Sequence, residues 1–240
     1  GGRQRRRRGR RGAHHAGGEG ARLAMKPVMA EPDGTVHHWA QGPMDVLSVK
    51  PFRAKRQDGW HTYTHKFYFF LEKVEGASKG KALKALYGEL RHPLGWERCG
   101  VRWIRTLDRA KANILICVVP GANTPCGPGV SGCYCDPAFH GRAGQGGYCE
   151  FDKPAAYLGS SALDPQGRPF VWWPELVWME IAGHGTFRMH DMYVGEGHTG
   201  YEGVMGTFAS AEKTAFRPTD NEIQWAKDWL AGQALYVHPH

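Results

Sequence analysis

Residues 174–191 read PELVWMEIAGHGTFRMHD, and residues 201–207 read YEGVMGT. The first stretch predicts a helix from about Trp173 to Gly183, with Pro174 in the first turn, where its missing N–H leaves no hydrogen bond unmade. His184 and His190 follow, six positions apart, with Asp191 directly after. Two histidines at a helix end are often no more than polar residues that complement the dipole. The valine-methionine-glycine turn around Met205, a short loop later, gives the spacing more weight.

Upstream, HKFYFFLEKV is a β-prone strand, and SKGKALKALYGELRH carries Ala82, Leu83, Leu86 and Leu90 at helical spacing before His92-Pro93 ends it. GVRWIRTL alternates as a half-buried strand does. ANILICVVP is continuously apolar and β-branched, the mark of a strand covered on both faces. KPAAYLGS reads as a further short strand. Downstream, RPTDNEIQWAKDWLAGQ gives a last helix, with Thr219 and Glu222 as a capping box and Ile223, Ala226, Trp229 and Leu230 as the apolar face. Helices alternating with strands in this way argue for an α/β sandwich around a mixed sheet.

The chain has 240 residues and 41% hydrophobic content, which suits one core with appendages. No stretch approaches the roughly 18 consecutive apolar residues of a membrane span. The net charge of +8 is concentrated at one end: residues 1–24 hold eight arginines against Glu19, a net of +7, leaving +1 for everything else. That leader has little to bury, so disorder is expected for residues 1–24. Its arginines, among them Arg5, Arg6, Arg7, Arg8, Arg10 and Arg11, suit contact with polyanions through counterion release. Composition alone is equally compatible with a solubilising leader. Residues 25–60 read as an irregular arm laid over a domain of residues 61–240, which carries a cysteine-rich insertion at 121–149.

Six cysteines stand at 99, 117, 126, 133, 135 and 149. A long Gly/Pro-rich segment without periodicity needs staples to be ordered, and an even count points to disulfides formed in an oxidising setting. The pairing stays open at this level. A structural zinc site is the rival, although Cys133-x-Cys135 lacks the usual CxxC spacing. Aromatic-rich pieces such as VWWPELVW and FYFF are at core spacing. There is no phosphate loop and no Gly-x-Ser-x-Gly elbow.

Taken together, the element order and residues 174–206 resemble the metzincin superfamily of zinc peptidases, in particular secreted metzincin-like domains of unknown function from actinobacteria and their phages. The passage ELRHPLGWERCGVRWIRTLDRAKANILICVVPG adds to the resemblance, which spans roughly residues 63–231. It implies a metzincin-like mixed twisted sheet with an active-site helix, a methionine turn and a C-terminal helix. It also implies zinc held by Glu180, His184 and His190, with Met205 in the turn beneath and Asp191 supporting a ligand histidine. His198, in the loop GEGHTG, is a further candidate ligand.

The pattern departs from the family in two places. With Glu180 as first ligand, the general-base slot holds Ile181. With Glu180 as the catalytic base, one extra residue stands before His184 and the first ligand becomes Met179, a poor zinc partner. The family's helix-breaking glycine slot holds Phe187, whereas Gly183 and Gly185 flank His184. Glu175, Glu196 or Glu202 could act as a relocated base. The resemblance thus implies an extracellular or virion-associated, metalloendopeptidase-like protein acting on a protein or peptide, with hydrolysis weakened or lost. The alternative is a non-enzymatic structural or binding protein, such as a phage virion component, on a protease-derived scaffold.

Overall fold

The computed structural model describes residues 28–30, 36–38, 47–119, 123–159, 173–189, 203–205 and 217–231. Two short strands, β1 (Val28–Ala30) and β2 (Val36–His38), form an antiparallel pair. They precede the main sheet, built from β3 (Leu47–Arg56), β4 (Gly59–Val74), β5 (Val101–Arg105) and β6 (Ile114–Val119). A small hairpin of β7 (Asn123–Thr124) and β8 (Gly127–Pro128) follows, then β9 (Gly132–Cys135) and β10 (Ala155–Gly159) complete the sheet. Helix α1 (Lys79–Leu90) links β4 to β5, and α2 (Pro137–His140) is one turn after β9. Helix α3 (Trp173–Leu176) runs straight into a π-helix over Val177–His184, and α4 (Asp220–Leu230) comes last.

The main sheet is mixed and six-stranded, in the order β3-β4-β6-β10-β9 with β5 also on β4. Strands β5, β4, β6 and β10 are parallel, while β9 pairs antiparallel with β10 and β3 antiparallel with the start of β4. The α/β class with a twisted mixed sheet therefore stands. Strand β6 shows why ILICVV carries no alternation. Ile114, Ile116 and Val118 enter the larger core under the helices, whereas Leu115, Cys117 and Val119 enter a second cluster with Cys133, Cys135, Cys149 and Tyr157. One sheet face is thus covered by helices and the other by the cysteine-rich loop.

That loop is held by Cys126–Cys133 and Cys135–Cys149, leaving Cys99 and Cys117 as buried thiols. A short cover without its own helix-to-sheet packing gains order from such cross-links. Helix α4 has the expected capping box, in which the Thr219 hydroxyl accepts from Glu222 N and the Glu222 carboxylate accepts from Thr219 N. Its Ile223, Ala226 and Trp229 are buried.

One reading is corrected. Residues 47–56, expected within an irregular arm, form the ten-residue strand β3 of the main sheet. Pro51 hid it, because a proline cannot donate to a ladder; here it lies in the register shift between Ser48 and Phe52, where no donor is needed. Phe52 then packs on Tyr63, with ring centroids 5.6 Å apart. Among the described residues no helix is long and apolar enough to cross a membrane. The leader, with Arg5, Arg6, Arg7, Arg8, Arg10 and Arg11, lies outside the described residues.

Candidate functional site

The helix expected over Trp173–Gly183 is present, but its second half is wider than an α-helix. Phe187 N donates to Ala182 O at 2.9 Å, an i→i+5 bond that continues the π-helical pattern. Such a turn leaves carbonyls to be satisfied from the side, and the Thr186 hydroxyl donates to Ile181 O at 2.9 Å while accepting from Trp103 Nε1 at 3.1 Å. Met179 and Glu180 are both buried, each 4% exposed.

His184 Nδ1 lies 2.6 Å from the carbonyl oxygen of Met189. A carbonyl can only accept, so Nδ1 carries a proton, and in the neutral ring the lone pair is then on Nε2, the tautomer a metal-binding histidine needs. The Tyr134 ring lies alongside, its centroid 6.2 Å from that of His184 and its plane within 21°. Glu180 is accommodated by the neighbouring strand: a Cβ on Gly132 of β9 would meet Glu180 Oε1 at 2.5 Å and Leu176 Cδ2 at the same distance. A glycine there lets the edge strand approach the helix.

The glycines flanking His184 do not break the helix. Gly185 has φ −72°, and the one non-glycine residue with positive φ among the described residues is Arg188, at 57°. The chain turns there, and Phe187 instead fills the core, its ring 5.1 Å from Trp96 and 6.1 Å from both Trp103 and Trp229. A glycine in place of Phe187 would leave a cavity among three tryptophans. Arg188 ties the turn to the edge strand: its Nη1 donates to Asp136 Oδ2, which also accepts from the Tyr134 hydroxyl at 3.2 Å.

Gly183 and Gly185 are needed for close packing. A Cβ on Gly185 would come within 2.6 Å of Ile114 Cδ1, and one on Gly183 within 2.7 Å of Met205 Cε and closer still to its sulfur. The Met205 thioether is fully buried against the helix backbone one residue before His184. Glu222 anchors it there, since its carboxylate accepts from Met205 N at 2.9 Å and Val204 N at 3.2 Å as well as capping α4. Burial pushes the Glu222 carboxyl above its ordinary range, and the backbone donors act in the opposite direction.

Of the residues singled out in the sequence, Glu180, His184 and Met205 are thus gathered on and under one helix. Glu175 is fully buried on its first turn. His190, Asp191, His198, Glu196 and Glu202 lie outside the described residues.

A second constellation lies in the cysteine-rich loop and involves His140, a residue that the sequence does not single out. The ligand atoms of Cys135, His140 and Cys149 lie within 4.8 Å of one another, a Cys-His-Cys cluster that could hold a metal ion. It is the one such group of three among the described residues. Here the two sulfurs are joined, so the ligand set exists once that disulfide is reduced. His140 Nδ1 accepts from Asp136 N at 3.0 Å, and its ring stacks on Tyr148 at 5.1 Å. The Tyr148 hydroxyl is pushed up by burial and by the charge of Glu180, which links the cysteine loop to the helix electrostatically. Cysteine-loop histidines flanked by two cysteines in sequence were the signal available.

Compared with protein-family models, with curated proteins and with solved structures, the chain gives no match.

Proposed function

We propose that this chain is a zinc-metallopeptidase-like protein of metzincin type, extracellular or virion-associated, in which peptide-bond hydrolysis is weakened or lost. One observation carries the reading: the buried Met205 thioether sits in the notch left by Gly183, under the turn that presents His184. The protonated Nδ1 of His184, bonded to Met189 O, supports a ligand role for Nε2. His184 and Glu180 fit zinc as donors, and the further ligands of the proposal, His190 and His198, lie outside the described residues. Met205 is the turn residue, and Asp191 the support for a ligand histidine. Disulfides in the chain suit an oxidising, extracellular setting.

Zinc bound there would supply an activated water. The chain's own contribution is positional. His184 is held by a main-chain carbonyl, and Glu180, buried on the same helix four residues earlier, is either a zinc donor or, in the alternative register, the group that would hold a proton. Arg188 and Asp136 fix the helix exit against β9. A protein or peptide is the proposed substrate or partner.

The second reading, a non-enzymatic binding or structural scaffold such as a phage virion component, is favoured by Ile181 next to Glu180 and by a thioether in the first-ligand slot of the shifted register. Polyanion contact through the arginine-rich leader is independent of both. Metal analysis under non-reducing conditions, which keeps Cys135 and Cys149 out of play, tests the centre: zinc below about a tenth of an equivalent would remove the metalloprotein reading. Chelator-sensitive cleavage of a casein-like substrate, lost in Glu180→Ala and His184→Ala, would establish an enzyme. Bound zinc without cleavage would establish the scaffold.

A further inference from the structure

The hairpin of β3 and β4 carries Lys50, Arg53, Lys55, Arg56 and Lys66 within residues 47–66, against the single acid Asp58. A second basic stretch, residues 98–111, is met by carboxylates: Arg98 pairs with Asp220, Arg102 with Glu97, Arg109 with Glu72 and Asp152, and Lys111 with Asp108. On the hairpin only Arg56 is met in this way, by Asp58. Lys50, Arg53, Lys55 and Lys66 have no carboxylate partner among the described residues.

Strand alternation sorts these side chains. Arg53 pairs with Thr62 and Lys55 with Trp60 across the ladder, so the four share one face, and all four are exposed. Arg56 and His61 belong to the opposite face, where the Asp58 carboxylate accepts from Arg56 Nε and Nη2, both at 2.7 Å, and lies 2.8 Å from His61 Nε2. The one acid of the hairpin is therefore turned away from Arg53 and Lys55. Trp60, directly after the turn, is 62% exposed, with the Arg53 guanidinium carbon 5.9 Å from its ring centre. Lysine and proline on an edge strand guard a sheet against further pairing, and β3 is such an edge. That role accounts for Lys50 and Pro51. It accounts neither for an indole held out in water nor for a cationic face without acids, since mixed charges would guard the edge as well.

We infer that this face of the hairpin, formed by Arg53, Lys55, Trp60 and Thr62, binds single-stranded nucleic acid. Arg53 and Lys55 stand two residues apart on a strand, about 6.7 Å, which is of the order of the step between successive phosphates of an extended strand. Their charges meet those phosphates, the Thr62 hydroxyl donates to one of them, and a base stacks on the Trp60 ring. A single strand offers open base faces, whereas a duplex hides them in its stack. The arginine-rich leader supplies charge but holds no Phe, Tyr or Trp, so stacking separates the two sites. The inference is independent of the zinc proposal, because none of these residues belongs to the helix that bears His184.

Fluorescence anisotropy of a labelled oligothymidylate of about 15 nucleotides, titrated with the full chain at low salt, tests it. Trp60→Ala is expected to weaken binding about tenfold and Trp60→Phe to restore most of it, while an abasic oligomer of the same length binds parent and Trp60→Ala within about twofold. Arg53→Gln combined with Lys55→Gln should reduce the slope of log affinity against log salt by about 1.4. Lys79→Gln combined with Lys81→Gln, both exposed on α1, should leave that slope unchanged. The substituted residues are exposed, so the variants keep the fold, which circular dichroism verifies. Oligothymidylate affinity within about twofold of the parent in Trp60→Ala would overturn the inference and assign the binding to the leader, and absence of binding by the parent up to about 100 μM would overturn it outright. An equal loss on the abasic oligomer would overturn it in favour of a surface for any polyanion. An equal loss on phosphatidylserine vesicles would overturn it in favour of a membrane surface.

Discussion

Met205 and Gly183 are in backbone-to-thioether contact, so close that a single methyl group at residue 183 would land 2.7 Å from Met205 Cε. The helix that bears His184 and the turn that bears Met205 are therefore fitted to each other at one position. Gly183→Ala is expected to destabilise by about 1–3 kcal/mol through overpacking, despite the better helix propensity of alanine. Pairing it with Met205→Ala should recover part of that loss. Denaturant unfolding of the two single variants and the double variant measures the coupling, and simple additivity would mean that the two residues do not touch.

Glu97 and Arg102 form a buried ion pair at 2.8 Å, with the Glu97 side chain fully enclosed and the Tyr63 hydroxyl donating to the same carboxylate. Arg102→Met should cost about 3–5 kcal/mol, because it leaves a carboxylate buried without its cation. Replacing both residues by apolar ones of similar volume should cost far less. Chemical denaturation of the pair of variants distinguishes a stability role from a desolvation penalty.

Burial lowers the pKa of His65 and of His92 from the ordinary value of 6.5. Their neutral forms are favoured in the folded chain, so the unfolded chain takes up protons first as pH falls through the ordinary histidine range. Melting temperature is expected to drop between about pH 7.5 and 5.5, and to drop less in a variant with both residues changed to glutamine. An unchanged slope in that variant would assign the effect to other groups. Asp58 and Asp152, held below the usual carboxylate range by Arg56 and Arg109, contribute in a separate window, above the ordinary carboxylate range and lost on further acidification.

The thiols of Cys99 and Cys117 are both pushed up to about 12, in each case by burial first. A thiol reagent at about pH 8 should therefore leave the native, unreduced protein unmodified and should label two cysteines after unfolding without reductant. Mass spectrometry counts the labels. Labelling of four or more without reductant would show that one of the two disulfides is absent.

Reduction should convert the Cys135–Cys149 cross-link into a ligand pair beside His140. Zinc uptake by the reduced chain, over and above that of the oxidised chain, is expected to rise by about one equivalent and to fall back in Cys149→Ser. No difference between the two redox forms would show that His140 does not cooperate with the two sulfurs.

Local signals were legible in proportion to how local their causes are. The capping box of α4 lies within four residues, and Thr219 and Glu222 announced it. ILICVV announced a strand covered twice, and the PELVW start announced a helix. Strand β3 was concealed because Pro51 looks like a breaker unless one knows that a bulge falls there. His140 looked idle because its partners are five residues before and nine after, across a turn and a loop.

By itself the sequence determined the α/β class, the places of the main helices and strands, and the nomination of Glu180, His184 and Met205. The class and the element positions follow from side-chain periodicity and caps, which act over a few neighbouring positions, and the three nominations follow from the resemblance to the metzincins. Only the tertiary structure decided which cysteines pair, since that depends on β9 lying antiparallel beside β10 and bringing Cys135 under the loop that holds Cys149. It alone decided that the His184 helix is π-helical, with Phe187 drawn into a tryptophan-lined core and Gly183 pressed on Met205. Packing between elements distant in sequence fixes such choices, because the helix must meet β6, β9 and the turn that bears Met205 at once.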